Sequence, residues 1–273
     1  MGEKRRRTAL RLVVVGGLVL AAALGGCERP APRSENSHQP YHAAPLALPK
    51  LPVPVRKTCT SSSYAPSGGR SYAVTLRASE VVARSRPGST GQVVGRYSRI
   101  DINHYPTVLG VLGARVSLGC SVSWYRIQLP SYPNGRTGWV VARAVRVHTV
   151  RSRIVVDLSA RRLVAYRNGR TVLRAPVAVG ASSTPTPTGR YFVNERFLLD
   201  DPNGPFGVAA LGISAHSDVL RNWVQGGPIA LHGTDQPSSV GSASSHGCIR
   251  LENSVMQRLF KLAPAGTPVD IQA

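Results

Sequence analysis

Two histidines and one cysteine lie within seventeen residues near the C-terminus, and these side chains are the best suited to chemistry. His232 is followed by Gly233 and Thr234, then by a loop rich in serine and glycine, and His246 and Cys248 come next. A thiolate is a strong nucleophile, and a neighbouring imidazole raises the fraction of cysteine in that form at neutral pH. The pattern therefore predicts acyl transfer through a thioester, with Cys248 as nucleophile and a histidine as its base.

The same side chains allow three other interpretations. A zinc site would draw on four of them, which are His216, His232, His246 and Cys248. The His-x-Cys spacing is, however, not usual for zinc. A papain-like site needs a histidine after its cysteine, and no histidine follows Cys248. A buried structural cysteine is disfavoured by Gly247, since a glycine lets the backbone approach a bound carbonyl group closely.

The elements predicted around these residues would position them. The short apolar run 229–231 predicts a strand that carries His232 at its end. Residues 254–262 have an apolar face and predict a helix, with Asn253 or Ser254 as the N-cap. The polar loop between strand and helix is pliable enough to fold the histidine back against the cysteine.

The rest of the chain after residue 70 predicts short strands and turns. The Asn168-Gly169 pair is a strong hairpin-turn signal in the C-terminal half. In the middle of the chain, a Pro/Asn/Gly turn between two β-rich runs predicts another hairpin. The β-rich runs are 72–76, 92–95, 124–129 and 137–141 in the middle region, and 154–158, 163–167 and 171–173 after it.

The segment around the cysteine resembles a known active-site signature. The sequence His-Gly-Thr at 232–234, followed by Ser-His-Gly-Cys-Ile-Arg-Leu at 245–251, is similar to that of the L,D-transpeptidases with a YkuD-like catalytic domain. The likeness runs from about residue 153 to the C-terminus, and it includes the opening strand 154–158 and the Thr-Pro-Thr-Gly segment 186–189. It implies a YkuD-like β-sandwich with one or two short helices.

The resemblance also implies roles for residues of the motif. Cys248 is the nucleophile and His232 the general base, while His246 shapes the pocket or contacts the substrate. The carbonyl group of Gly233 would fix the tautomer of the base. Backbone N–H groups near Gly247 and Cys248 would bind the oxyanion.

Three further residues of the motif are assigned to the substrate side of the site. Arg250 would either hold a substrate carboxylate by a bidentate contact or form a structural pair with Asp235 or Glu252. Ser245 and Thr234 are expected at the substrate-binding loops, where their hydroxyl groups would order the backbone.

The reaction that the resemblance implies is peptidoglycan cross-linking. Cys248 would attack the third residue of a tetrapeptide stem and release the terminal D-amino acid, and a second stem would then complete a 3→3 cross-link. With water as acceptor, the same site would be an L,D-carboxypeptidase. No metal or cofactor is required, and carbapenems would acylate Cys248.

The middle domain resembles another β-rich fold. The hairpin over 124–140 is similar to the last hairpin of bacterial SH3-like domains, and an immunoglobulin-like domain is the alternative. Cys59 and Cys120 flank this domain, and outside the cytoplasm a spare cysteine pair is more often bridged than free. We therefore expect a Cys59–Cys120 disulfide, with two inert thiols as the alternative. The predicted architecture is mainly β, with an SH3-like β-barrel at 59–150 and the catalytic domain at 151–273.

The N-terminus predicts export. Residues 1–26 have a basic start and an apolar run, 10–24, that is too short to span a membrane. The four residues ending at Cys27 resemble a bacterial lipobox, which implies an extracytoplasmic protein anchored to the membrane through lipidated Cys27 and facing the cell wall. A plain cleaved signal is the alternative. Residues 27–58 contain seven prolines and predict an extended linker.

The charge of the chain is strongly positive. The formal net charge is +21, with +12 in residues 27–150 and +5 in residues 151–273. Such an excess favours association with polyanions. Because the N-terminus predicts export, anionic wall polymers or membrane headgroups are the expected partners, and nucleic acid is not. A non-catalytic lipoprotein that binds the wall through its basic middle domain is the alternative to an enzyme.

Overall fold

The chain after position 68 forms two β-sheets that follow one another in the sequence. The computed structural model describes residues 69–117 and 120–273, and one α-helix accompanies the strands. The prediction of a mainly β protein is therefore confirmed. The predicted signal peptide, the linker, Cys27 and Cys59 lie outside the described residues, so these assignments stay predictions.

The first sheet has seven strands in the order β3-β2-β6-β5-β4-β1-β7. The side chains of Val74, Leu109, Ile127 and Val140 are fully buried in its core. The strands are β1 (Ser71–Leu76), β2 (Glu80–Arg84), β3 (Val93–Ser98), β4 (Val108–Val116), β5 (Val122–Gln128), β6 (Thr137–Val141) and β7 (Val145–Val150).

The predicted hairpin of the middle region forms as β5 and β6, which pair antiparallel. The likeness of this sheet to SH3-like or immunoglobulin-like domains stays a prediction, as does its binding of anionic polymers. Cys120 is disulfide-bonded. Its expected partner Cys59 is not among the described residues.

The second sheet has eight strands in the order β10-β9-β8-β17-β12-β13-β14-β16, and β11 pairs with β15 in a separate ladder. The pairs β8–β17 and β14–β16 are parallel. The elements are β8 (Ser152–Asp157), β9 (Arg162–Arg167), β10 (Arg170–Pro176), β11 (Val179–Gly180), β12 (Gly189–Leu198), β13 (Ala209–His216), β14 (Pro228–His232), β15 (Ala243–Ser245), β16 (Ile249–Arg250), α1 (Asn253–Leu262) and β17 (Pro268–Gln272).

The turn and the helix predicted in the C-terminal half are both present in the structure. Asn168 and Gly169 both have positive φ and form the turn between β9 and β10. Helix α1 buries Met256 and Leu259 in the core of the second sheet. The N-cap prediction was wrong, because α1 begins at Asn253 without any side-chain cap.

A small apolar contact joins the two sheets. Ala73, Val108 and Val150 of the first sheet are buried together, and Ala265 packs against them. Close by, Gly110 on β4 faces Phe192 on β12, whose side chain is 2% exposed. The described residues of both sheets belong to a single unit. No helix within the described ranges is long and apolar enough to cross a membrane.

We predict that Gly110→Ala destabilises the protein. A Cβ at this position would lie 2.8 Å from Cδ1 of the buried Phe192 ring. Overpacking of this kind costs about 1–3 kcal/mol of unfolding free energy, and urea unfolding measures it. The matched control is Gly113→Ala on the same strand, where a Cβ meets nothing within 4 Å. Equal stability of the two variants would contradict the close packing.

Candidate active site

The site is built where two parallel strands end side by side. In the β14–β16 ladder, Leu231 pairs with Ile249 and His232 pairs with Arg250. The N–H of Leu251 donates to the carbonyl group of His232 at 2.9 Å and extends the ladder. Because side chains alternate along a strand, Ile249 and Leu251 enter the core, and Arg250 points to the other side with the neighbouring cysteine.

Cys248 and His232 line one cavity of about 250 Å³. His232 is buried, with 3% of its surface exposed, whereas Cys248 is half-buried and His246 is exposed. We call this space the Cys248 cavity. Its lining residues are Pro205, Phe206, Ser217, Leu220, Trp223, Gly227, Pro228, Ile229, His232, Ser245, His246, Cys248 and Arg250.

The ring of His232 is held in one orientation. Its Nδ1 lies 2.5 Å from the carbonyl oxygen of Gly233. Because a carbonyl group only accepts, Nδ1 carries the proton and Nε2 keeps a free lone pair. The ring of Phe206 packs edge-on against the imidazole, with the centroids 4.9 Å apart. The structure thus places the Gly233 carbonyl where the sequence predicted a group that fixes the tautomer.

Burial keeps the imidazole of His232 neutral. It lowers the pKa of this residue to about 4, and the positive charge of Arg250 acts in the same direction. The hydrogen bond to Gly233 opposes this shift but does not cancel it. At neutral pH, His232 is therefore an unprotonated base.

Burial also keeps the thiol of Cys248 protonated. It raises the pKa of the thiol, while a backbone hydrogen bond from Ala230 and the charge of Arg250 partly oppose the change. The expectation from the sequence was that the imidazole enriches the thiolate at neutral pH. The structure instead favours a resting pair of neutral thiol and neutral imidazole, because burial disfavours both charged forms.

The turn before Cys248 is ordered by hydroxyl groups. The hydroxyl of Ser245 donates to the carbonyl oxygen of Cys248 at 2.5 Å and accepts from the N–H of Gly247 at 3.1 Å. Thr186 is buried and donates to the carbonyl oxygen of Gly247 at 2.8 Å. Gly247 has a φ of 112°, which suits glycine.

This geometry bears on the expected role of Gly247 at the oxyanion, which stays a prediction. Its N–H already has an acceptor in Ser245, so it is not free for an oxyanion in the resting site. Ser245 is 2% exposed and acts mainly within the turn, although it borders the cavity. Among the described residues, the N–H of Cys248 has no hydrogen-bond acceptor.

Asn253 orders the other side of the site. Its Oδ1 accepts from the N–H of Thr234 at 3.0 Å, and its Nδ2 donates to the carbonyl oxygen of Pro202 at 3.2 Å. A Cβ at Gly233 or at Gly207 would overlap with Oδ1 of Asn253. The side chain is therefore committed to the loop beside His232 and is not available as a helix cap.

Thr234 lies apart from the Cys248 cavity. It is buried, and its hydroxyl accepts from the N–H of Gln236 at 3.0 Å. Its hydroxyl therefore orders the loop, as the sequence predicted, although Thr234 does not border the cavity. His246, in contrast, borders the cavity and packs against Trp223 at 5.6 Å between the ring centroids.

Arg250 is free to meet a ligand. It borders the Cys248 cavity, and within the described ranges neither Asp235 nor Glu252 forms an ion pair with it. Of its two predicted roles, the structural pair with an acidic neighbour is therefore not formed. In the part of the chain that the structure describes, no group of three or more His, Cys, Asp or Glu residues could hold a metal ion.

The sequence motif predicted Cys248 and His232 as nucleophile and base, and the structure places both at one cavity, but the motif gave no sign of several residues around them. Thr186 was noted only as part of a segment, and Phe206, Trp223 and Asn253 carried no signal of a role at the site. Asn253 bonds to Thr234, which is 19 residues away along the chain. Thr186 bonds to Gly247, which is 61 residues away. Contacts over such separations depend on the fold and have no local sequence pattern.

Comparison with known proteins agrees with this site. A sequence model of the L,D-transpeptidase catalytic domain YkuD matches residues 151–271. The YkuD protein of Bacillus licheniformis is 37% identical over 123 residues, covering 45% of this chain and 67% of that protein. The YkuD protein of Bacillus subtilis is 35% identical over 124 residues, covering 45% and 68%.

The match to solved structures covers a smaller share of each of those proteins. A mutant of the Enterococcus faecium L,D-transpeptidase is 26% identical, covers 44% of this chain and 49% of that one, and has a TM-score of 0.35. A Bdellovibrio bacteriovorus protein is 28% identical, covers 44% and 47%, and has a TM-score of 0.36. The match thus spans about half the length of these two structures. On the sequence comparisons, the chain belongs to the YkuD family of L,D-transpeptidases.

Proposed function

We propose that this protein is a peptidoglycan L,D-transpeptidase that forms 3→3 stem-peptide cross-links through a thioester on Cys248. The observation that carries the proposal is the hydrogen bond between Nδ1 of His232 and the carbonyl oxygen of Gly233. It leaves Nε2 as the proton acceptor of a ring that borders the same cavity as the thiol. A fixed base beside a nucleophile is the arrangement that acyl transfer requires.

In the proposed first half-reaction, a tetrapeptide stem acylates the enzyme. The Sγ–H proton of Cys248 moves to Nε2 of His232 as the sulfur bonds to the carbonyl carbon of the third residue. The tetrahedral intermediate then breaks the amide C–N bond. The proton passes from the imidazole to the leaving amine of the terminal D-amino acid, and a thioester remains.

In the second half-reaction, a side-chain amine of another stem attacks the thioester. His232 takes a proton from this amine, a new amide bond forms, the C–S bond breaks, and the thiol recovers its proton. Water in place of the amine would give hydrolysis and an L,D-carboxypeptidase. Phe206, Leu220 and Trp223 give the cavity apolar walls, which limit the water near the thioester.

The neutral resting pair sets the order of proton transfer. Because burial raises the pKa of Cys248 and lowers that of His232, an ion pair is disfavoured before the substrate binds. Proton transfer then accompanies the attack on the carbonyl carbon. The N–H of Cys248, which has no acceptor among the described residues, would bind the developing oxyanion.

Arg250 would recognise the end of the donor stem. Its guanidinium borders the cavity without a carboxylate partner in the described ranges. The leaving residue of a tetrapeptide ends in a carboxylate, and guanidinium groups bind carboxylates by two parallel hydrogen bonds. We assign Arg250 this role.

The first test is incubation of the protein with a disaccharide-tetrapeptide, followed by mass spectrometry. We expect a cross-linked dimer with the native protein and none with Cys248→Ala, because the variant cannot form the thioester. Tripeptide without dimer would contradict the transpeptidase and indicate a carboxypeptidase. No product from a protein shown to be folded would favour the alternative of a wall-binding lipoprotein.

The second test concerns Arg250→Gln. We expect the KM for a tetrapeptide donor to rise about ten- to hundredfold, because a hydrogen-bonded charge contact is lost. A donor whose terminal carboxylate is amidated should react poorly with the native protein and no worse with the variant. Steady-state kinetics with both donors measure this difference.

The control for this test is Arg174→Gln. Arg174 is an exposed arginine on β10 that does not border the Cys248 cavity. It should leave both KM values unchanged. If Arg250→Gln still distinguished the two donors as the native protein does, carboxylate recognition by Arg250 would be wrong.

A further inference from the structure

The loop between β13 and β14, residues 217–227, forms one wall of the Cys248 cavity. Leu220 and Trp223 of this loop border the cavity, and the Trp223 ring packs against His246. Trp223 is nevertheless 54% exposed and Val224 is 84% exposed. A wall with this much exposed apolar surface is not held by burial alone.

The backbone hydrogen bonds of the loop lie within the loop itself. The N–H of Ser217 donates to the carbonyl oxygen of Gly227 at 2.8 Å and closes the loop. The N–H groups of Trp223 and Gly226 donate to carbonyl groups within the loop. The Ser217–Gly227 bond continues the pairing of β13 with β14. Among the described residues, the only hydrogen bond from residues 217–227 to a residue outside them is made by the side chain of Gln225.

The turn between β5 and β6 forms hydrogen bonds with the chain just before the loop. Nδ2 of Asn134 donates to the carbonyl oxygen of His216 at 2.8 Å, and the N–H of His216 donates to Oδ1 of Asn134 at 2.9 Å. This is a two-point contact between a side chain of the first sheet and the backbone at the end of β13. An amide side chain can do this because its nitrogen donates and its oxygen accepts.

A second turn of the first sheet holds the far end of the loop. Nε2 of Gln225 donates to Oδ1 of Asn103 at 3.2 Å, while Nδ2 of Asn103 donates to Glu195 at 2.8 Å. The carboxylate of Asp101 accepts from the N–H groups of Asn103 and Tyr105, both at 2.9 Å, and fixes this turn.

A third contact lies at the middle of the loop. The guanidinium of Arg221 lies 5.4 Å from the ring centroid of Tyr132, which is within the range of a cation–π interaction. Tyr132 and Asn134 belong to the same β5–β6 turn. The first sheet therefore contacts the loop region at its start, its middle and its end.

We propose that the first sheet with its connecting turns, which we call the first domain, positions the 217–227 loop through Asn134, Asn103 and Tyr132, and thereby completes the substrate-binding wall of the Cys248 cavity. These three are positioning residues, since they do not border the cavity. The proposal rests on the proposed function for its effect on catalysis. It gives the β5–β6 turn a role in the reaction beyond any binding to the cell wall.

Loss of the two Asn134–His216 hydrogen bonds should weaken substrate binding and leave the chemical step largely intact. If the loop is in place for only a fraction of the time, the apparent affinity for the donor falls by that fraction. Two neutral hydrogen bonds between protein groups account for about a tenfold change. We therefore expect Asn134→Ala to raise the KM for the tetrapeptide by up to about tenfold, with kcat changed by less than about twofold.

Hydrogen exchange of the full-length protein tests the positioning itself. Amides of residues 217–227 should exchange about tenfold faster in Asn134→Ala than in the native protein, while those of β12 and β17 stay unchanged. The control is Ser123→Ala, whose hydroxyl bonds only to the carbonyl oxygen of Arg115 within the first sheet. It should alter neither the exchange nor the KM.

A double variant adds a second line of evidence. Because Asn103 and Gln225 bond to each other, Asn103→Ala combined with Gln225→Ala should affect loop exchange less than the sum of the single variants. Unchanged loop exchange in Asn134→Ala would overturn the proposal. Faster exchange with an unchanged KM would also overturn it. If the native protein cross-linked no stem peptide, the proposed function would fail, and the exchange rates would still decide whether the first domain holds the loop.

Discussion

The parallel pairing of β14 with β16 brings together residues that are separated along the chain. It sets His232 opposite Arg250, and Cys248 lies two residues before that arginine. The alternation of side chains then sends Ile249 and Leu251 into the core and leaves the reactive groups on the other side of the ladder. The hydroxyl-ordered turn at Ser245 and the loop held by Asn253 both depend on this pairing.

Burial of the pair determines its protonation. The same desolvation that lowers the pKa of His232 to about 4 raises the pKa of Cys248, so both groups are neutral in the resting site. Arg250 lowers the pKa of both, which favours the thiolate and disfavours the imidazolium. The reacting pair therefore carries no charge before the substrate binds, and the hydrogen bond to Gly233 leaves Nε2 as the proton acceptor.

The sequence predicted those parts of the structure that have a local signal. The strand carrying His232, the turn at Asn168 and the strand Thr137–Val141 follow from short-range pattern and turn chemistry. Strand β4 was missed because Val108–Val116 is apolar on both faces and interrupted by glycines, so it lacks the two-residue alternation of a half-exposed strand. The sequence predicts Asn253 or Ser254 as the cap because a helix start favours such residues, but the partner of Asn253 at Thr234 is set by tertiary packing.

The most direct test of the neutral pair is nitrogen NMR of the histidine-labelled protein, with His232 assigned from its loss in His232→Gln. The chain has seven histidines, so this assignment is practicable. We predict a ring protonated at Nδ1 alone at about pH 7, which titrates only near pH 4 because burial disfavours the cation. An imidazolium at about pH 7 that becomes neutral in Cys248→Ala would reveal a resting ion pair and contradict the account.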